Sequence, residues 1–494
     1  MERQEERRED WPNGNGMPFG SDTVEYLCYF YHQRLDFRLP ELHALAQMFG
    51  HPLRYSAYDP ERPFIRVKLP SEQAAKDIAS RSVLIKGFFE VWGTGETYEE
   101  LMRSIEDFPL HKKEPYYSQD TTFKLNVDAF GRRYSRGQQL DIIKRFAHIP
   151  FLGKVDLKNA QHSFWIMEEL GHLPEEGSPP RMIYFGRQIA LGARHLIEKF
   201  TLKKRGYLGT TSMSSEWSLL MANQGMVLPN HLVYDPFAGT GSILVPPAYF
   251  GAKVMGSDID PRVLRGKEGR SIFTNFAQYD LKGIVDLVVS DTSRPCWRPS
   301  PWFDAVICDP PYGVRAGGKK VGKKDKPGRQ KAKQRRVESS NTAHIPQCVS
   351  YEIPEVLKDL IDFSARTLKL GGRLVYWLPT TDLYQESDLP RHPCLQLRAN
   401  SEHIMTRRLR RRLITMEKIL DFDLALHANL PLEEYGVLSP TITNIGDYYF
   451  KRGQYAEVED EDEAVEEEEE EAATRRVKKN NKRKQQGGSP TQQQ

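Results

Sequence analysis

The run Asp309-Pro310-Pro311-Tyr312-Gly313 places an acid, two rigid prolines and an aromatic ring directly after a strand-length apolar segment, Phe303–Cys308. These residue types suit one kind of substrate. An amino group on an aromatic base is a poor nucleophile, because its lone pair is delocalised into the ring. Two acceptors that take its two hydrogens turn the lone pair outward, toward a methyl donor. The Asp309 carboxylate is one acceptor and the Pro310 carbonyl can be the other. Tyr312 offers a face for the base to stack on, and Pro310 and Pro311 fix the loop so that positioning is made in advance. A carboxylate can accept from both N1–H and N2–H of guanine, whereas N1 of adenine is itself an acceptor that a carboxylate repels.

A methyl donor needs its own site, and the chain carries one about 70 residues upstream. Asp235-Pro236-Phe237-Ala238-Gly239-Thr240-Gly241-Ser242 follows the apolar segment HLVYD and precedes a helix-like ILVPPAYFG. Glycine in a strand-to-helix turn lets a ligand approach the backbone where a Cβ would block it. There is neither a P-loop lysine nor the pyrophosphate-binding GxGxxG. The acid at Asp235 also speaks against a phosphate and for the ammonium of a methionine moiety. The loop resembles the S-adenosylmethionine (SAM) loop of class I methyltransferases. Asp258-Ile259-Asp260 lies 23 residues after Asp235, at the tip of the next strand, where ribose hydroxyls of an adenosine cofactor are held. Asp260 precedes Pro261 and reads as a helix N-cap, which leaves Asp258 for the ribose. Asp291, after the strand IVDLVVS, is a candidate acceptor for the adenine amino group.

The elements that must position these residues are strands. Val233–Asp235, Lys253–Asp258, Ile284–Ser290, Phe303–Asp309 and Arg373–Leu378 are apolar strands, each followed by a loop or helical stretch. That alternation predicts an α/β fold with a doubly wound, mostly parallel, Rossmann-like sheet, in which ligands bind at the C-terminal strand ends. The candidate acids sit at those ends.

Upstream, Val24–Tyr31, Phe64–Leu69 and Val83–Val91 read as strands and Pro40–Phe49 and Ser71–Ser80 as helices, and the block, taken in the order strand, helix, strand, strand, helix, strand, suggests a ferredoxin-like unit. Ser71 is the expected N-cap of its helix. A second block follows, with strands at Thr121–Val127, Ser163–Glu169 and Arg181–Leu191 and a helix at Ser135–Ala147 carrying Leu140, Ile142, Ile143 and Phe146. Around that helix cluster Arg132, Arg133, Arg136, Lys144 and Arg145, beside Phe130 and Tyr134. Basic side chains neutralise phosphates and aromatic ones stack on bases, so the block is either an RNA-binding module or a small spacer. The expected organisation is a disordered 1–21, a ferredoxin-like 22–112, an RNA-binding 113–203, a catalytic 204–452 and a disordered tail, 453–494.

The 494-residue chain has a net charge of only +3, which conceals strong segregation. Arg315–Arg336 holds eleven Lys or Arg and one acid. Glu457–Glu471 holds twelve acids, and Arg475–Lys484 is basic. The insert and the charged tail read as solvated chain that cannot build a core. No run approaches a membrane span, and no secretory signal is evident. Five scattered cysteines without a CxxC pair argue against a disulfide framework or a metal site and fit a reducing, cytoplasmic setting.

Taken together, DPFAGTGS, SDID, DPPYG, the later RRLITMEK (Arg411–Lys418) and KRGYLGTTSM (Lys204–Met213) resemble the catalytic subunit of the eukaryotic tRNA guanine-10 N2-methyltransferases, over residues 22–452. The resemblance implies a THUMP RNA-binding domain after the ferredoxin-like part. It implies SAM as cofactor and tRNA as substrate. It also implies a small zinc-binding activator subunit as partner, which no spacing here reveals. A DNA adenine-N6 methyltransferase shares DPPY and the SAM loop but needs no such module upstream, and a protein-glutamine methyltransferase usually begins the motif with asparagine. A noncatalytic tRNA-binding subunit would not need Asp235, Asp258 and Asp309 intact.

Overall fold

The computed structural model describes residues 23–175, 177–312, 317–322, 347–406 and 408–427, with positions 16, 17, 430, 435, 440–443 and 445. The expectations for the N-terminal segment, for Gly313 and most of the basic insert, and for the charged tail lie outside those residues.

Two sheets carry the chain. In the first, β1 (Val24–Phe30), the helix Arg38–Met48, β2 (Arg54–Tyr55), β3 (Phe64–Leu69), the helix Glu72–Ala79 and β4 (Ile85–Gly95) come in ferredoxin-like order. The strands lie β2-β3-β1-β4 with all neighbours antiparallel. The helix after β3 starts where the sequence places it, with the Ser71 side chain accepting from the Ala74 amide. The next block supplies β5 (Thr122–Phe130), β6 (Lys154–Val155), β7 (His162–Glu169) and β8 (Met182–Leu191). These four do not make a sheet of their own. β8 runs antiparallel to β4 from Gly87↔Leu191 to Gly95↔Ile183, so the two blocks share one eight-stranded sheet in the order β2-β3-β1-β4-β8-β7-β5-β6. β4 ties them by side chains too: Trp92 is buried with its ring 4.8 Å from that of Phe164. The helix Arg136–Lys144 begins with a capping box between Ser135 and Gln138. Its apolar face is narrower than the spacing suggests, for Ile142 and Phe146 are buried while Leu140 is half exposed.

The second sheet is the expected doubly wound one. Its strands are β9 (Leu232–Asp235), β10 (Lys253–Asp258), β11 (Ile284–Val289), β12 (Phe303–Cys308), β15 (Leu368–Thr381), β16 (Leu395–Ile404) and β17 (Leu409–Lys418), while β13 (Lys319–Val321) and β14 (Cys348–Ser350) form a separate antiparallel hairpin. The order is β11-β10-β9-β12-β15-β17-β16. The first five are parallel, and β17 closes the sheet antiparallel to both β15 and β16. Phe303, Ala305, Val306, Ile307 and Cys308 are all buried, as a strand covered on both faces requires.

The sheets are distinct, but one apolar core runs through both parts. Leu42, Leu45 and Ile78 of the first part cluster with Trp217, Leu220 and Val233 of the second. Buried polar groups cross the same junction. Glu41 accepts from the Asn223 side chain (2.8 Å), from Ser82 and from the amides of Val83 and Leu84. Arg81 donates to Asn223 Oδ1 and to the Val227 carbonyl. Among the described residues no helix is long and apolar enough to cross a membrane, and no cluster of three or more His, Cys, Asp or Glu could hold a metal ion.

Candidate active site

The C-terminal ends of β9, β10 and β12 open onto a cavity of about 510 Å³, within the usual range for small-molecule sites. Its wall includes Pro236, Phe237, Ala238, Gly239 and Thr240 from the turn after β9, Asp258, Ile259 and Asp260 from β10 and its turn, and Asp309, Pro310, Pro311 and Tyr312 after β12. The structure thus brings the two motifs, far apart in sequence, onto one surface.

The loop after β9 is shaped by its glycines. Gly239 and Gly241 have φ of +50° and +75°, conformations that favour glycine. A Cβ on Gly241 would meet Ile272 Cγ2 at 2.7 Å, whereas one on Gly239 would meet nothing closer than 3.9 Å. Gly241 is therefore closed in by packing, and Gly239 presents bare backbone. The Asp258 carboxylate ties that loop to β10. Its Oδ2 accepts from the Gly239 amide (3.0 Å) and its Oδ1 from the Asp260 amide (2.8 Å). A carboxylate offers about four lone-pair sites, so these bonds orient Asp258 and leave it capacity to accept from hydroxyls. Burial raises its pKa. Asp260 caps the helix Pro261–Arg265, accepting from the Arg262 amide at 2.9 Å.

Asp235 does not line the cavity. It is fully buried behind the loop, with Oδ1 accepting from the Phe237 amide (2.9 Å) and Oδ2 without a hydrogen-bond partner among the described residues. Burial, and then the nearby Asp258 and Asp309 carboxylates, push its pKa well up, against the pull of the Phe237 amide. An orphaned buried acceptor beside bare glycine backbone fits a cationic ammonium group arriving at this loop. Gly241 is likewise off the wall.

Asp291 is not on the cavity wall. Its Oδ1 accepts from the Ser293 amide and hydroxyl (2.9 and 2.8 Å), and its Oδ2 from the Val321 amide (2.7 Å). The carboxylate thereby fastens the β13–β14 hairpin to the strand end, and it is the next residue, Thr292, that lines the cavity. The basic residues of the first sheet have different surroundings. Arg132 donates to the Ser178 carbonyl (3.1 Å), Lys144 pairs with Asp141 (2.8 Å) and Arg145 lies over the Tyr98 ring. Arg133 and Arg136 are exposed.

Several wall residues carry no role in the reading of the sequence alone. Thr211, Ser212, Met213, Ser214 and Trp217 come from the segment before and into the helix Ser215–Gln224. This segment lies on the glycine loop, with Ser212 Oγ 2.7 Å from Thr240 Oγ1. Arg205 Nη1 donates to Ser242 Oγ (2.9 Å), and Asn275 holds both the amide and the carbonyl of Tyr207. Lys319 and Tyr351 come from the hairpin, and Met405 and Arg411 from the β16–β17 turn and β17. The available signal was the sequence KRGYLGTTSM itself, whose small hydroxyl residues precede an apolar helix.

Comparison with known proteins places two family models on the chain. A Tmrp11 THUMP N-terminal domain matches residues 24–194, and an RMKL-like methyltransferase domain matches residues 203–325. The chain is 41% identical over 418 residues to the tRNA (guanine(10)-N(2))-methyltransferase TRMT11 of Bos taurus, covering 81% of this chain and 89% of that protein. It is 40% identical over 418 residues to the protein of the same description from Homo sapiens, with 81% and 89% covered. For that of Dictyostelium discoideum the figures are 37% over 447 residues, with 84% and 87% covered.

Proposed function

The chain belongs to the tRNA (guanine(10)-N(2))-methyltransferase family, and from that premise we propose that the cavity at the ends of β9, β10 and β12 transfers a methyl group from S-adenosylmethionine to the exocyclic N2 of a guanine in tRNA, giving N2-methylguanosine. The observation that carries the assignment is that Asp309 and Asp258 line one cavity; on this reading the first accepts from the target amine and the second from the donor's ribose.

Asp309 accepts one N2–H of the guanine and the Pro310 carbonyl accepts the other, which turns the nitrogen lone pair out of the ring plane. Tyr312 stacks on the base. Pro310 is buried and the pair of prolines holds the loop, so these acceptors need no reorganisation at the moment of reaction. The cofactor supplies an electrophilic methyl carbon bound to a sulfonium. The amine that forms carries one proton too many, and the Asp309 carboxylate is placed to take it. Asp258 orients the ribose, the bare Gly239 backbone admits the cofactor's methionine end, and Asp235 answers its ammonium.

A guanine amine in a paired stem lies inside the stack, so the base must be flipped at a cost of about a few kcal/mol, offset by contacts remote from the chemistry. We assign those contacts to residues 113–203, with Arg132, Arg133, Arg136, Lys144 and Arg145. The small zinc-binding activator subunit is assigned to β11, an edge strand of the second sheet on which Val285 and Val289 are exposed, since such an edge invites a partner. The working compartment is the cytoplasm, consistent with Cys28, Cys308 and Cys394 being buried free thiols.

Transfer of labelled methyl from S-adenosylmethionine to total tRNA, DNA and protein, assayed in parallel, tests the reading. Label in tRNA alone supports it, and label in DNA or protein would replace it.

A further inference from the structure

Arg411 belongs to none of the groups assigned above, yet it forms part of the cavity wall. The sheet order locates it. The glycine loop and Asp258 stand on β9 and β10, Asp309 follows β12, and β15 and β17 lie beyond, on the side away from the cofactor acids. Cys308 pairs with Tyr376 of β15 and Tyr376 with Ile414 of β17. Three residues further toward the ligand end, Arg411 pairs with Pro379. It therefore stands two strands past the catalytic strand, about 10 Å along the sheet, on the half that receives the substrate.

The guanidinium is built in rather than draped. Its Cζ lies 4.0 Å from the centre of the Trp377 ring and 5.4 Å from that of Trp217, and its Nε donates to His403 Nδ1 at 3.1 Å. The residue is only 8% exposed. His403 can accept this bond because burial, and then Arg411 and Arg34, lower its pKa to about 3. Arg34 Nη1 lies 3.4 Å from the other ring nitrogen, Nε2. Among the described wall residues the acids are Asp258, Asp260 and Asp309 and the cations are Lys319 and Arg411. Lys319 stands close enough to Asp260 to lower that acid's pKa, and Arg411 is the described wall cation that stands on the substrate half. A line of cations also leads to it from the first sheet. Arg34 lies over the Trp217 ring at 4.5 Å and pairs with Glu216, which Arg194 also reaches.

We infer that Arg411 binds a backbone phosphate next to the target nucleotide and thereby fixes the flipped guanine over Asp309. The inference rests on the tRNA reading above. A planar, stacked guanidinium offers a rigid pair of donors to phosphate oxygens, and such contacts set register without reading sequence. Arg411 is on this account a substrate-positioning residue. Arg34 and Arg194 continue the same cationic path toward the RNA-binding part.

The full-length chain with Arg411→Gln and with Arg411→Lys tests this. For Arg411→Gln, KM for tRNA rises on the order of tenfold, and the slope of log affinity against log salt falls by about 1, while calorimetry finds SAM affinity unchanged. Arg411→Lys keeps the salt slope but loses turnover, because a point charge does not orient the strand. Independently of folding, scanning single methylphosphonates through the phosphates flanking the target nucleotide finds one whose neutralisation weakens wild-type binding. An unchanged salt slope in Arg411→Gln, a loss of SAM affinity with tRNA binding intact, or a scan with no sensitive phosphate would each overturn the inference. A wild-type chain that fails to methylate tRNA would instead overturn the functional reading beneath it.

Discussion

At Asp235 a carboxyl is held fully out of water with one oxygen unpaired among the described residues. Its pKa is raised, so the folded chain binds this proton more readily than the unfolded one. The stability linked to the protonated form is fully present below the ordinary carboxylate value and is lost as pH rises through the folded value. Asp235→Asn relieves that cost. The melting temperature without cofactor should rise at neutral pH, by about 2–4 °C per kcal/mol released, and the gain should shrink toward acid. SAM affinity should fall in the same variant, because the ammonium loses its carboxylate. A neutral-pH melting temperature at or below wild type, or undiminished SAM affinity, would count against this account of Asp235. Asp258→Ala should likewise weaken SAM binding in calorimetry while tRNA affinity stays as it was. The acids at strand ends are legible in the sequence because buried apolar runs stop at them. Which way each carboxylate turns is not, and Asp291 is the example: it accepts from Ser293 and from Val321, and Val321 is 30 residues away.

That bond matters at the scale of elements. The β13–β14 hairpin is held at the cavity by the Asp291–Val321 contact and by Lys320 pairing with Glu355 at 2.7 Å. Asp291→Ala should release the hairpin, lowering SAM affinity less than Asp258→Ala does and raising protease sensitivity at the hairpin strands Lys319–Val321 and Cys348–Ser350. Equal losses of affinity in the two variants would return Asp291 to the cofactor. The hairpin escapes a reading of periodicity because three-residue strands carry no usable pattern and a long basic insert separates them. The parallel strands are legible for the opposite reason, since Phe303–Cys308 is a buried apolar run with a turn signal at its end. The pairing of β4 with β8 is not written locally either. Eighty-six residues lie between Gly95 and Met182, and it is the long-range ladder, with Trp92 of β4 packed 6.0 Å from Phe185 of β8, that brings the two together.

For the molecule as a whole, the continuous core argues against a catalytic part that folds by itself from about Tyr207. Removing the first sheet would uncover Trp217, Leu219 and Leu220 and strand Asn223, whose side chain meets Glu41 and Arg81. A chain beginning at Tyr207 should therefore be recovered aggregated or without a cooperative melt. Asn223→Ala in the full chain should cost about 1–3 kcal/mol for each buried group left unsatisfied, read by denaturant unfolding. A soluble, cooperatively melting truncation would show that the junction is dispensable. Attachment of the THUMP part through a shared core suits a reaction whose difficulty is placing one amine. The most direct test of that placement is single-turnover methyl transfer to tRNA with nucleoside analysis of the product, comparing wild type with Asp309→Ala under saturating SAM. The account predicts N2-methylguanosine from the wild type and a rate lower by about 10²–10³ in the variant, with SAM binding retained. A near-wild-type rate in Asp309→Ala, or label in a different nucleoside, would contradict it.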